Sequence, residues 1–147
     1  MILMISNATS ALFDVNVWLA LASEHHLHHG EAAAAVPRLP SPVFCRVTQA
    51  SLLRLLTNSA TMGSNVCTPA RAWSVFESMC RQTEATFRLE PPGLEQRWRA
   101  FTASAQSISG AAWNDTYLAA FAICAKIPLV TFDSGFRRYP ALDCLLL

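Results

Sequence analysis

A chain of 147 residues is long enough for one domain with a sizeable core. Hydrophobic residues make up 52% and charged residues 14%, which excludes a disordered chain and predicts apolar surface covered by a partner or a second copy. The net charge is +1 and the cations are arginines apart from Lys126, so no basic footprint demands nucleic acid and nothing excludes it.

Cys45, Cys67, Cys80, Cys124 and Cys144 are scattered, odd in number and without C-x-x-C spacing. They predict buried thiols in a reducing compartment, not a disulfide frame or a zinc site. The opening Met-Ile-Leu-Met-Ile is too short and uncharged for a signal peptide, and no apolar run approaches the roughly 20 residues that span a bilayer. The expectation is a cytoplasmic protein with no membrane contact.

Ser10 to Phe13 is an apolar run that stops at Asp14, after which Val15, Leu19 and Ala22 share one helical face. A strand that ends in a carboxylate and turns into a helix places that carboxylate at the C-terminal rim of a sheet, where open α/β sheets bind ligands. Helix capping is the competing role for Asp14. His25 to Val36 reads as an Ala-rich helix closed by Pro37, Pro40 and Pro42. His25 and His29, four apart, are a metal-like pair with no third ligand, and a solvated helix start accounts for them better. Val43 to Arg46 is a short strand, and Thr48 caps a helix from Gln49 to Leu56.

Asn58 to Cys67 is a loop turning at Gly63, and Thr68-Pro69 starts a helix reaching about Arg81, with Trp73, Phe76 and Cys80 on its inner face. Thr86 to Leu89 is a strand, Leu94 to Ala105 a helix, and Ser104 to Gly110 a small polar loop. Trp113 to Lys126 is the last long helix, with Asp115 in its first turn. Leu129 to Phe132 is a strand ending in Asp133, Ser134-Gly135 turns the chain, and Leu142 to Leu147 is the final strand. Strands alternate with helices throughout, so the fold class is α/β, a single three-layer domain over residues 1–147 with a mainly parallel central sheet flanked by helices.

Asp14, Asp115 and Asp133 all stand at element ends. Capping and helix-dipole roles account for each of them separately, so convergence remains one of two readings. If they do converge, two unit charges about 4 Å apart repel by about 4 kcal/mol at an effective dielectric near 20. Such a cluster either takes up protons or binds a cation, and oxygen-only ligands select a hard ion, Mg²⁺ or Mn²⁺. A Gly-rich phosphate loop, G-x-S-x-G and H-E-x-x-H are all missing from the chain.

The segments Leu-Phe-Asp-Val-Asn-Val-Trp-Leu-Ala-Leu (12–21), Phe-Cys-Arg-Val-Thr-Gln-Ala-Ser-Leu-Leu-Arg-Leu-Leu-Thr-Asn (44–58), Trp-Asn-Asp-Thr-Tyr-Leu-Ala-Ala-Phe-Ala (113–122) and Leu-Val-Thr-Phe-Asp-Ser-Gly-Phe (129–136) resemble the PIN-domain toxins, the VapC ribonucleases of toxin–antitoxin pairs. The resemblance spans nearly the whole chain. It implies a Rossmann-like PIN fold and a Mg²⁺-dependent endoribonuclease (Mn²⁺ serving as well), homodimeric and held inactive by a VapB-type antitoxin. It makes Asp14, Asp115 and Asp133 the metal ligands. It aligns Gln49 with a Glu of many relatives, a replacement that costs the site one negative charge, weakens its hold on the first metal and leaves one or two metals open. A PIN-like binding module that has lost catalysis is the alternative this substitution leaves open.

Asn16 matches the first motif, positioning Asp14 or a metal-bound water, or else tying down the first helical turn. Thr131 is matched beside Asp133 as a supporting hydroxyl, and Asn114 stands where relatives carry a helix-capping Thr. Arg46, Arg54, Arg137 and Arg138 are the candidate RNA contacts, the last two favoured because they follow Asp133. The antitoxin groove is expected near Trp18 and the first two helices, with core packing the competing role of Trp18.

Overall fold

The computed structural model describes residues 7–147, so the opening apolar segment at residues 1–5 lies outside the described residues. In chain order the elements are β1 (Ser10–Phe13), α1 (Val15–Ala22), α2 (His29–Ala35), β2 (Ser41–Phe44), α3 (Arg46–Leu56), α4 (Ser59–Met62) and α5 (Pro69–Thr83). They continue with β3 (Thr86–Phe87), α6 (Leu94–Thr102), α7 (Gly110–Ala125), β4 (Leu129–Thr131) and β5 (Cys144–Leu146). The five strands lie in the order β3-β2-β1-β4-β5, and every neighbouring pair is parallel.

The sheet is covered on both faces, as an all-parallel sheet requires. Alternation along β1 divides the core: Leu12 joins Leu118, Phe121 and Leu129 under α7, while Ala11 and Phe13 join Trp18, Phe44, Leu52 and Val130 under α1 and α3. Trp18 is fully buried, its ring stacked on Phe44 at 3.7 Å and tilted against Phe13 at 5.2 Å. It is therefore core, and it lines no antitoxin groove. All five cysteines are free. Among the described residues no helix is long and apolar enough to cross a membrane.

Several boundaries differ from expectation, each for a local reason. The helix after β2 starts at Arg46 because Cys45 is its cap. Thr48, read as the cap, sits three residues inside, its hydroxyl accepting from Cys45 N at 3.0 Å and donating to Cys45 O at 3.0 Å. Only His29 onward is helical in the His-rich stretch, so His25 and His29 share no helical face. The expected loop after Asn58 contains α4 and a further 3₁₀ turn from Gly63 to Asn65, Gly63 taking a left-handed φ of 55°. On α5 the buried residues are Ala72 and Met79, while Trp73 is 48% exposed. Most consequential, α7 begins at Gly110, with the Ser109 hydroxyl accepting from Ala112 N as the cap. Asn114 is thus no cap, and Asp115 lies in the second turn, beyond easy reach of the helix dipole.

Candidate functional site

The first and fourth strands lie side by side at the centre of the sheet, and their C-terminal ends define the rim. Asp14 leaves β1 there and caps α1, its Oδ1 accepting from Val15 N at 2.7 Å. The Thr131 hydroxyl, at the end of β4, donates to Asp14 Oδ2 at 2.7 Å across 117 residues of chain. That same hydroxyl accepts from Asp133 N at 3.0 Å and from Asn16 Nδ2 at 3.4 Å. A single buried oxygen thereby ties the ends of two strands and the first turn of α1 to one carboxylate.

Asp14 lines a cleft of about 160 Å³ together with Asp115, Asn114, Ala111 and Leu118 of α7 and Val47, Thr48, Ser51 and Arg54 of α3. The helix supplies Ala111, Asp115 and Leu118 because positions four and three apart share a face. Asp14 is almost fully buried and Asp115 half-buried. Desolvation pushes the Asp14 carboxyl up to about 6, helped by the charges of Asp115 and Asp133 and opposed by the bonds from Thr131 and Val15. Burial, then the charge of Asp133, also raises Asp115, and Arg138 partly relieves it from 3.9 Å.

Asp133 behaves differently from the other two. It is exposed, and its Oδ1 accepts from Gly135 N at 2.7 Å, capping a 3₁₀ turn over Ser134–Arg138. It does not line the cleft, and it acts on Asp14 and Asp115 through its field from the rim. Among the described residues, no three His, Cys, Asp or Glu side chains stand close enough to hold an ion by themselves. What the cleft does offer is two carboxylates with free lone pairs, neutral oxygens and room for water. Mg²⁺ is commonly held this way, through one or two carboxylates with several retained waters, so the residues present fit a hard divalent ion.

Gln49 does not reach the cleft. A residue two positions from Ser51 lies about 200° around the helix, and the Gln49 Oε1 instead accepts a hydrogen bond from Arg46 Nη1. The α3 residues facing the acids are Thr48 and Ser51. The sequence carries a signal for Ser51, three residues on from Thr48 and three before Arg54, which puts it on one helical face with them. Asn16 also stays out of the cleft, bracing Thr131 and accepting from Phe132 N at 3.5 Å. Of the candidate RNA contacts, Arg54 lines the cleft and Arg138 pairs with Asp115, whereas Arg46 lies over the Phe87 ring at 4.5 Å. Among the described residues Arg137 makes no ion pair with the three acids.

A larger cavity of about 600 Å³ lies elsewhere, lined by Trp98 and Trp113 with Glu90, Glu95 and Arg99 between α6 and α7. It contains no member of the acidic group.

The PIN domain family profile matches residues 11–142. Ribonuclease VapC41 of Mycobacterium tuberculosis (strain ATCC 25618 / H37Rv) is 41% identical over 143 residues, covering 92% of this chain and 97% of the relative. Two crystal structures share the fold. The sarcin–ricin loop cleaving toxin VapC20 of Mycobacterium tuberculosis superposes with a TM-score of 0.65 at 17% identity, covering 87% of this chain and 93% of that one. VapBC2 of Rickettsia felis, bound to a DNA fragment from its promoter, superposes with a TM-score of 0.64 at 15% identity, covering 92% and 96%.

Proposed function

The chain belongs to the PIN-domain family, among its VapC members, and from that membership we propose that it is a Mg²⁺-dependent endoribonuclease, the toxin of a toxin–antitoxin pair. One observation carries the reading beyond kinship. Asp14 and Asp115, brought from opposite ends of the chain, face one small cleft, and among the described residues the ion pair made to either of them is the long one from Arg138 to Asp115 at 3.9 Å. Asp14 and Asp115 would hold the ion, and Asp133 would draw it in from the rim. The ion held by Asp14 and Asp115 would supply a more acidic bound water and a positive charge against the developing negative charge of phosphodiester hydrolysis.

The protein's own part is to orient and to bind. Thr131 and Val15 N fix both oxygens of Asp14, so the carboxylate is preorganised at no cost when substrate arrives. Arg54, which lines the cleft, and Arg138, beside Asp115, would bind phosphate oxygens of the RNA. Relatives solved with their antitoxins support a VapB-type partner for this chain, and the exposed Leu27, Trp73, Leu89 and Trp113 are apolar surface that such a partner or a second copy would cover.

The test is cleavage of an RNA oligonucleotide by the full chain in Mg²⁺, set against EDTA, against Asp115→Asn and against the matched DNA. Cleavage of RNA alone, abolished by chelation and lowered at least about 100-fold in the variant, is the expected result. A chain that neither cuts RNA nor takes up Mn²⁺ is instead the binding module.

A further inference from the structure

We propose that Ser51 is a positioning residue for the metal site: its hydroxyl holds a water of the ion's hydration shell opposite Asp14 and Asp115, and its neutrality limits the cleft to one divalent ion. This rests on reading the cleft as a metal site.

Four α3 residues reach the cleft, and three have other work. Val47 is apolar. Thr48 has its hydroxyl engaged at the helix cap, bonded to Cys45 N and Cys45 O. Arg54 is a cation and repels another. Ser51 remains, 8% exposed and lining the cleft with both acids, and its hydroxyl has no hydrogen-bond partner among the described residues. Among the described residues the buried side-chain polar atom without a partner is the Trp18 indole nitrogen, so the Ser51 hydroxyl is open to the cleft and takes its hydrogen bonds from water there. The cleft has space for one: about 160 Å³ holds a handful of waters at roughly 30 Å³ each.

Two carboxylates would bring two ligands to a hydrated ion, and the remaining coordination positions would be water. Those waters would need acceptors or donors on the α3 side of the cleft, and among the described α3 residues Ser51 is the uncommitted neutral polar group there. A carboxylate at that position would give the cleft a third charge and a bridging ligand for a second ion. A hydroxyl gives neither. Gln49, whose amide oxygen is taken by Arg46, does not enter into it.

Mn²⁺ titration of the full chain, followed by equilibrium dialysis and by loss of the free-ion EPR signal, tests this without reference to cleavage. Wild type is expected to bind one ion per chain. Ser51→Ala should weaken binding about 10-fold, the effect typical of losing a group that orients a metal's ligands, and Ser51→Thr should restore it. Ser51→Asp should tighten binding or add a second ion, and Gln49→Glu should leave it unchanged. Ser51→Ala adds no bulk and favours helix, so it keeps the test open if Ser51→Asp does not fold. Ser51→Ala binding like wild type, or Gln49→Glu tightening binding where Ser51→Asp does not, overturns the proposal while the metal reading stands. A wild type that takes up no Mn²⁺ overturns both.

Discussion

Two regions of this molecule gather ionisable side chains, and they end in opposite states. At the corner between α1 and α2, four histidines crowd into a short stretch of chain, and three of the rings have a local partner. His29 Nδ1 meets the Ala20 carbonyl at 2.8 Å, His28 Nδ1 meets Glu31 at 3.1 Å, and His26 Nδ1 accepts from His28 N at 3.1 Å. The His28 ring also stacks on Phe132 at 4.6 Å. At the sheet rim the acids arrive from distant strands and helices, and burial leaves Asp14 and Asp115 short of compensating charge. Ligand density along the chain is thus a poor guide to a site. A site needs groups whose local partners run out, and burial at the junction of several elements produces that shortage.

Neutralising Asp14 sharpens the contrast most. Its carboxyl titrates near 6 in the fold against a reference of 3.8. A raised carboxylate favours folding below its unfolded value, and that contribution is lost as pH rises through the folded one. Two units correspond to up to about 3 kcal/mol. In urea melts of metal-free protein, Asp14→Asn should therefore gain up to about 3 kcal/mol at pH 7 and almost nothing at pH 4, and it should lose the extra stability that Mg²⁺ confers on wild type.

Thr131→Val should have the next largest effect. It keeps the volume and removes the hydroxyl bonded to Asp14 Oδ2, Asp133 N and Asn16 Nδ2. A cost of about 1–3 kcal/mol follows from the buried groups left unpaired. The Asp14 carboxyl should rise further, since that bond holds it down, and carbon-detected NMR titration of the carboxyl would show the shift. The smallest effect belongs to the histidine corner. His28→Ala loses an exposed contact to Glu31 and one ring face on Phe132, so chemical denaturation should shift by no more than about 1 kcal/mol, with Mn²⁺ uptake unchanged. A large loss of Mn²⁺ binding in His28→Ala would break the comparison.

Legibility in the sequence followed the range of the interactions involved. β1 and α1 were readable to the residue because an apolar run, a capping acid and a 3.6-residue pattern coincide there. The start of α7 lies three residues before the one its pattern predicts, since Ser109 and Gly110 look like loop until the helix packs against α6. The same difference takes Asp115 out of the first turn. Gln49 stands out along the chain only through its position in a motif, whereas helical geometry turns it away from the acids and puts Ser51 in the cleft.

The sequence by itself determined the alternation of strands and helices, the parallel sheet this forces, and three acids at element ends, because these depend on periodicity and on chemistry within a few residues. Only the tertiary structure decided which acids share a cavity. Strand order sets β1 beside β4, bringing Asp14 to the Thr131 hydroxyl across 117 residues, and the rotation of α3 and α7 presents Ser51 and Asp115 to the same space. Asp133, equally prominent along the chain, turned outward because a backbone N–H two residues ahead captured its carboxylate.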